Sequence, residues 1–166
     1  MQPVMDIALV RVDNRLVHGQ ILEAWIPFLK ASCIAVVDDQ VASDFFQETV
    51  IRMAVPREVQ VIISGLKEFA EAYSFTQGHG KKTILLFSTV SAALTVHRLG
   101  FRFAKLNIGN VYNENCRLCC TPSVLLSDRD VNDIKSLHAE GVQIELRRVP
   151  KEKPLNFYDV VQKLNS

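Results

Sequence analysis

A chain of 166 residues can form one domain with a sizeable core, and 48% apolar against 22% charged residues is an ordinary globular balance. A net charge of +1 gives the whole molecule no bias toward nucleic acid or a membrane surface. No apolar run reaches a bilayer span and residues 1–6 lack a signal-peptide layout, so the expected location is the cytosol, where Cys33, Cys116, Cys119 and Cys120 would remain thiols.

The first expected element is a strand over 6–12, built on the uninterrupted apolar run Ile7-Ala8-Leu9-Val10. A helix over 18–30 follows, because Leu22, Trp25, Ile26 and Leu29 recur at i, i+3, i+4 and i+7; that stripe makes Trp25 a core residue rather than a sugar platform. A strand over 33–38, with Cys33 buried in it, leads to a helix over 41–54 that Pro56 ends. Next come a strand over 59–63, a helix over 65–73 capped by Ser64, and a Gly- and Lys-containing surface loop over 74–82. A strand over 83–87, a helix over 89–98 and a strand over 104–108 continue the alternation. Residues 109–123 mix Gly, Asn, Tyr, Cys and Pro without a period. A helix over 128–140 begins at the N-cap Ser127, with acidic residues in its first turn, and ends before Gly141. A strand over 142–148 and a helix over 155–164 complete the chain. Regular β-α alternation implies a single α/β domain over 1–166: an open, mostly parallel sheet of about six to seven strands with helices on both faces.

The most informative stretch joins the first strand to the first helix: Arg11-Val12-Asp13-Asn14-Arg15-Leu16-Val17-His18-Gly19-Gln20. A loop after a parallel strand falls at the carboxyl edge of the sheet, where α/β proteins place their chemistry, and the helix start adds free amides and a positive dipole end. His18 supplies a nucleophilic nitrogen, since neutral imidazole is available near pH 7. Arg15, three residues earlier, can hold two phosphate oxygens in its fork. Arg11 contacts the same anion or pairs with Asp13; the two readings are equally weighted. Asp13 can accept the second ring N–H of His18 and fix its tautomer. Gly19 lets backbone approach the anion, Gln20 orients the loop or donates to an oxygen, and the amides of 19–21 complete the set. Together these groups point to phosphate chemistry on His18.

Other candidates carry competing structural readings. Asp38 and Asp39 end the second strand as possible site carboxylates, with N-capping the better reading for at least one. Asn107 and Gly109 either wall the site loop or turn the chain. His79, His97 and His138 read as structural or solvent-facing; His97 and His138 fall late in helices, where a cation suits the dipole. Cys116-Arg117-Leu118-Cys119-Cys120 could ligate zinc or cycle as a dithiol, but no second CxxC accompanies it and no metal site is expected. Neither a GxGxxG nor a P-loop is present, which counts against a nucleotide-binding module, and no cofactor is expected.

The ten-residue histidine loop, followed by Trp25, closely resembles the active-site loop of the IIB subunits of the mannose/fructose/sorbose family of the bacterial sugar phosphotransferase system. The resemblance continues through 36–44, Ala54-Val55-Pro56, Leu106-Asn107-Ile108-Gly109 and 141–150. It implies a cytosolic phosphocarrier whose histidine, here His18, takes a phosphoryl group from a phosphohistidine on a IIA partner and passes it to a sugar presented by membrane IIC and IID subunits. It implies Nδ1 as the reacting nitrogen and an antiparallel edge strand in the sheet, for which 142–148 is the candidate. Related subunits are often dimeric, which adds a homodimer to the expected partners. A group that must leave again favours a partly exposed His18 on a flat docking surface, with Leu16 and Val17 against IIA. The family usually carries a Gly-, Ser- and Lys-rich stretch where this chain has its cysteines. That departure motivates a redox-sensitive loop, a changed partner, or a second role in which phosphorylated His18 regulates a protein without loading a sugar.

Overall fold

The computed structural model describes residues 5–73, 75 and 78–166. Its main sheet contains β1 (Met5–Asp13), β2 (Cys33–Val37), β3 (Gln60–Ser64), β4 (Lys81–Phe87), β5 (Lys105–Asn110), β8 (Gln143–Leu146) and β9 (Leu155–Asn156), in the spatial order β3-β2-β4-β1-β5-β8-β9. A separate hairpin pairs β6 (Leu118–Thr121) with β7 (Val124–Leu126). Every pairing in the main sheet is parallel except β8 with β9. The antiparallel edge is therefore β9, at the start of the expected last helix, while the candidate run 142–148 pairs parallel to β5. The Val149–Glu152 turn reverses the chain, and Leu155 and Asn156 then pair back along β8.

Two apolar layers cover the sheet. On one face lie α4 (Leu66–Ala72), α5 (Val90–Arg98), α6 (Asp128–Ala139) and α7 (Phe157–Leu164), around Phe69, Val96, Ile134 and Phe157. On the other lie a π-helical segment (Gln20–Trp25), α1 (Ile26–Leu29), α2 (Asp39–Ala42) and α3 (Phe45–Ala54), around Ile21, Trp25 and Val41. Period-two alternation divides each strand between them: Ala35 and Val37 of β2 join the first layer, Ile34 and Val36 the second. A bulge between Ile7 and Leu9 sets the same alternation along β1, so that Val10 and Val12 face the first layer. Arg11 and Asp13 are then committed to the second face, together with Asn107 and Gly109 of β5 and Glu145 of β8.

Local signals act largely as expected. Ser127 caps α6 in a reciprocal capping box with Asp130, and Gly141 follows that helix at φ 95°. The expected helix over 41–54 is broken at Ser43, because Asp44 accepts from the Gln47 amide and starts α3 afresh. Ser64 does not cap α4; Gly65 holds that position, and the carboxylate of Asp39 accepts from the Leu66 amide across the sheet edge. Of the loop expected over 74–82, residues 74, 76 and 77 lie outside the described residues, and Lys81 and Lys82 already belong to β4. Among the described residues, no helix is long and apolar enough to cross a membrane.

Candidate functional site

β1 runs between β4 and β5, and its loop leaves the carboxyl edge toward β2 while the connection after β4 crosses to β5. Connections diverge there, as at the ligand-binding crevices of open α/β sheets. The loop curls tightly: the Leu16 amide donates to the Asp13 carbonyl at 3.0 Å, and Leu16 sits at φ 55°, a left-handed conformation uncommon for a γ-branched residue. That turn brings Arg15 and His18 back toward Asp13.

Asp13 is the hub. Its carboxylate is fully buried and accepts from Arg11 Nη2 at 3.1 Å, from the Arg15 amide at 3.0 Å and from Arg15 Nε at 3.1 Å. His18 Nε2 lies 3.5 Å from Asp13 Oδ2, in the direction expected for an orienting carboxylate. Gln20 orients the same group, accepting from Arg15 Nη2 at 2.9 Å and lying 3.5 Å from His18 Nε2. The other ring nitrogen, Nδ1, lies 2.8 Å from the Leu16 carbonyl; a carbonyl only accepts, so Nδ1 carries the proton of that contact. Ile21 and Leu22 both donate to the His18 carbonyl, which removes the Ile21 amide from the expected anion set and leaves those of Gly19 and Gln20.

Arg11 takes the structural branch of its two readings. Its side chain is fully buried and donates to Asn107 Oδ1 (2.7 Å), the Arg147 carbonyl (2.8 Å), the Arg148 carbonyl (3.0 Å) and Asp13. It stacks on the Trp25 ring, with Cζ 5.4 Å from the centroid. Burial pulls the guanidinium below its ordinary pKa, and the Asp13 charge opposes that shift. Arg11 thus shapes the loop from beneath and does not line the groove containing His18.

Three other candidates also leave the groove. Asn107 is buried, accepting from Arg11 and donating to Glu145 Oε1 at 3.1 Å. Gly109 neither turns the chain nor walls the loop: it lies in β5, where a Cβ would come within 2.5 Å of Arg11 Nη1 and closer still to Cζ. Its missing side chain is the space that the guanidinium occupies. Asp38 caps α2 through the Val41 amide at 2.9 Å and accepts from the Ser88 hydroxyl at 2.5 Å, so its oxygens are engaged away from His18.

His18 is partly exposed, at 15% of its side chain, as the chemistry demands. Its surroundings are not flat. Arg15, His18, Gly19, Gln20 and Phe28 line an open groove of about 950 Å³, closed on one side by Val149, Pro150 and Lys151. Leu16 is buried in the core below Trp25, so it presents no docking surface. The sequence reading missed this far wall and the buried support from Glu145 and Trp25, whose Nε1 donates to the Arg148 carbonyl at 2.9 Å. Glu145 carried no signal, since it alternates with Ile144 and Leu146 on the same face of β8 as the exposed Gln143 and so reads as an outward polar residue. His97 takes the structural branch of its reading but not as a helix-end cation: its ring is buried against Phe103 and accepts from Arg102, and burial together with that cation holds its pKa below the ordinary value. Cys116 and Cys119 are joined as a disulfide rather than left as thiols, because the turn into β6 brings their Cα atoms to 6.4 Å. Among the described residues no cluster of three or more His, Cys, Asp or Glu is grouped to hold a metal ion.

Fold and site together define an open α/β domain that presents one histidine, in a loop braced by arginine and aspartate, at the carboxyl edge of its sheet. The family of PTS system sorbose subfamily IIB components matches residues 7–166, and the chain belongs to it. It is 31% identical over 159 residues to the PTS system fructose-specific EIIB component of Bacillus subtilis (strain 168), covering 96% of this chain and 98% of that relative. It is 26% identical over 161 residues to the PTS system mannose-specific EIIAB component of Escherichia coli (strain K12), covering 97% of this chain but 50% of that longer protein. The crystal structure of the IIBSor domain of the sorbose permease from Klebsiella pneumoniae superposes with a TM-score of 0.85 at 29% identity, covering 96% of this chain and 98% of that one. The chain is therefore a IIB component of a sugar-transporting phosphotransferase system.

Proposed function

We propose that the chain is a cytosolic phosphocarrier acting as one unit over 1–166: His18 accepts a phosphoryl group from the phosphohistidine of a IIA partner and passes it to a sugar presented by IIC and IID subunits. One observation carries this reading. The single groove-facing imidazole shares a buried carboxylate with Arg15, whose side chain is 42% exposed beside it. Attack through Nδ1, the nitrogen that the resemblance implies, requires its bond to the Leu16 carbonyl to open and its proton to leave, so that the ring carries its proton on Nε2, which Asp13 and Gln20 face. Asp13 then faces Nε2 and balances the positive charge that phosphorylation brings to the ring. The transition state is loose and spreads charge over three oxygens, so positioning and cations matter more than covalent chemistry. Arg15 Nη1, which meets no acceptor among the described residues, and the Gly19 and Gln20 amides are the donors placed to meet those oxygens. Gly19 leaves the approach open, since a Cβ there would meet nothing within 4 Å.

Incubation with a phosphorylated IIA domain tests the reading. Acid-labile phosphate should appear on the wild type and be absent from His18→Ala; no label on the wild type, or equal label on both, overturns it. Labelling without any captured IIC, IID or sugar product would instead assign the regulatory role. A homodimer, also proposed from the resemblance, is read by the solution mass of the same preparation.

A further inference from the structure

We propose that Cys116 and Cys119 form a reversible thiol–disulfide modification site whose state is transmitted to the loop bearing His18. The proposal rests on three structural features. First, the pair is close and reachable: the Cα atoms lie 6.4 Å apart, within disulfide range, Cys119 is exposed and Cys116 partly so. Second, the third cysteine is kept out of the exchange. Cys120 points to the other side of β6, where it packs against the core under α7, and burial pushes its thiol up to about 11. Cys33 is buried within β2. Third, the segment that leads from β5 toward the pair is hydrogen-bonded to the site loop. Asn14, between Asp13 and Arg15, donates its amide to the Asn110 carbonyl at 2.9 Å and its side chain to the Ser88 carbonyl at 2.7 Å. Its Oδ1 accepts from the Tyr112 amide at 2.5 Å. Residues 111 and 117 are in turn held to the β6–β7 hairpin, Val111 through Ser123 of its turn and Leu125 of β7, and Arg117 through Leu126. The disulfide closes the four residues Cys116-Arg117-Leu118-Cys119 and so fastens the loop end at Cys116 to Cys119 of β6, which pairs with Leu125 of β7; Arg117 adds its amide bond to Leu126 and its ion pair with Asp128.

The chemistry balances with a low-molecular-weight disulfide such as oxidised glutathione as the oxidant. The Cys119 thiolate attacks one of its sulfurs and releases one thiolate. The Cys116 thiolate then attacks Cys119 Sγ of the mixed disulfide and releases the second. Two electrons and two protons pass from the protein to the oxidant, giving one protein disulfide and two glutathione thiols. A dithiol reductant of the thioredoxin class reverses the step. In the oxidised form the 112–119 turn is pinned and Tyr112 holds Asn14; in the reduced form the turn gains freedom at its root, and the Asp13–Arg15 geometry shifts with it.

The intact chain tests both parts without phosphotransfer, so the outcome is independent of the phosphocarrier reading. Treatment with oxidised glutathione followed by thiol counting and intact mass should remove two titratable thiols and two hydrogens from the wild type. Cys119→Ser should lose neither. Backbone amide resonances of residues 13–20 should move between the oxidised and reduced wild type and stay fixed in Cys119→Ser under the same treatment. Four titratable thiols on the glutathione-treated wild type overturn the modification site. A formed disulfide with unmoved 13–20 resonances overturns its coupling to the loop.

Discussion

Gly109→Ala tests whether the site loop is built over a buried guanidinium. Gly109 does not occupy the left-handed region, so alanine meets no backbone penalty there. The conflict is with Arg11 alone: the new Cβ would stand 2.5 Å from Nη1 and closer to Cζ and Nη2. Ordinary carbon contact is about 3.5 Å, so the guanidinium must retreat by at least about 1 Å. Its bonds to Asn107, Arg147, Arg148 and Asp13 span 2.7–3.1 Å, and such a retreat carries them to or beyond the hydrogen-bond limit. Hydrogen bonds to charged groups contribute about 1.5–3 kcal/mol each, so losing two costs about 3–6 kcal/mol, against a gain of about 0.4–1 kcal/mol from the less flexible unfolded chain. The net loss should be about 2 kcal/mol or more, a fall in Tm of at least roughly 4–8 °C for a chain of this size. Urea unfolding of both proteins measures it, and a double-mutant cycle isolates the cause: in an Arg11→Ala background, the same glycine substitution should cost less than about 1 kcal/mol. A Gly109→Ala protein within about 0.5 kcal/mol of wild type, or additive effects in the cycle, would refute the packing argument.

Three further outcomes follow from the same geometry. Arg15→Ala should slow labelling of His18 by a phosphorylated IIA domain about tenfold or more while changing the urea midpoint little, because its side chain is partly exposed and Asp13 keeps Arg11; equal labelling rates would remove Arg15 from the site. Asp38→Ala should do the reverse, costing about 1–2 kcal/mol through the lost cap and Ser88 bond with His18 labelling intact; a labelling defect in a folded variant would return Asp38 to the chemistry. Burial and Arg102 hold the His97 pKa below its ordinary value of 6.5, so the unfolded chain binds that proton more readily than the folded one. Its contribution is therefore complete above 6.5 and is lost as pH falls toward the folded value. His97→Leu should lose less stability than wild type between about pH 7.5 and about pH 5.5, and equal losses would contradict the assignment.

The amino-acid sequence alone determined the strand and helix order, the position of the His18 loop at a strand end, and the family, because apolar periodicity and the run Arg11–Gln20 are local features of the chain. It left β9 inside a helix and β6 and β7 unread, since strands of two to four residues are too short for a period to register. It could not choose between the two roles of Arg11, because the groups that decide the matter are distant in sequence: Asn107 lies 96 residues away, and the Arg147 and Arg148 carbonyls 136 and 137. Only the strand order β1-β5-β8 sets Arg11, Asn107 and Glu145 side by side on one face, beneath Trp25. Which polar groups remain in solvent to do chemistry, and which are buried to hold them, is settled by that lateral pairing, and pairing between strands leaves no mark on the periodicity of any one of them.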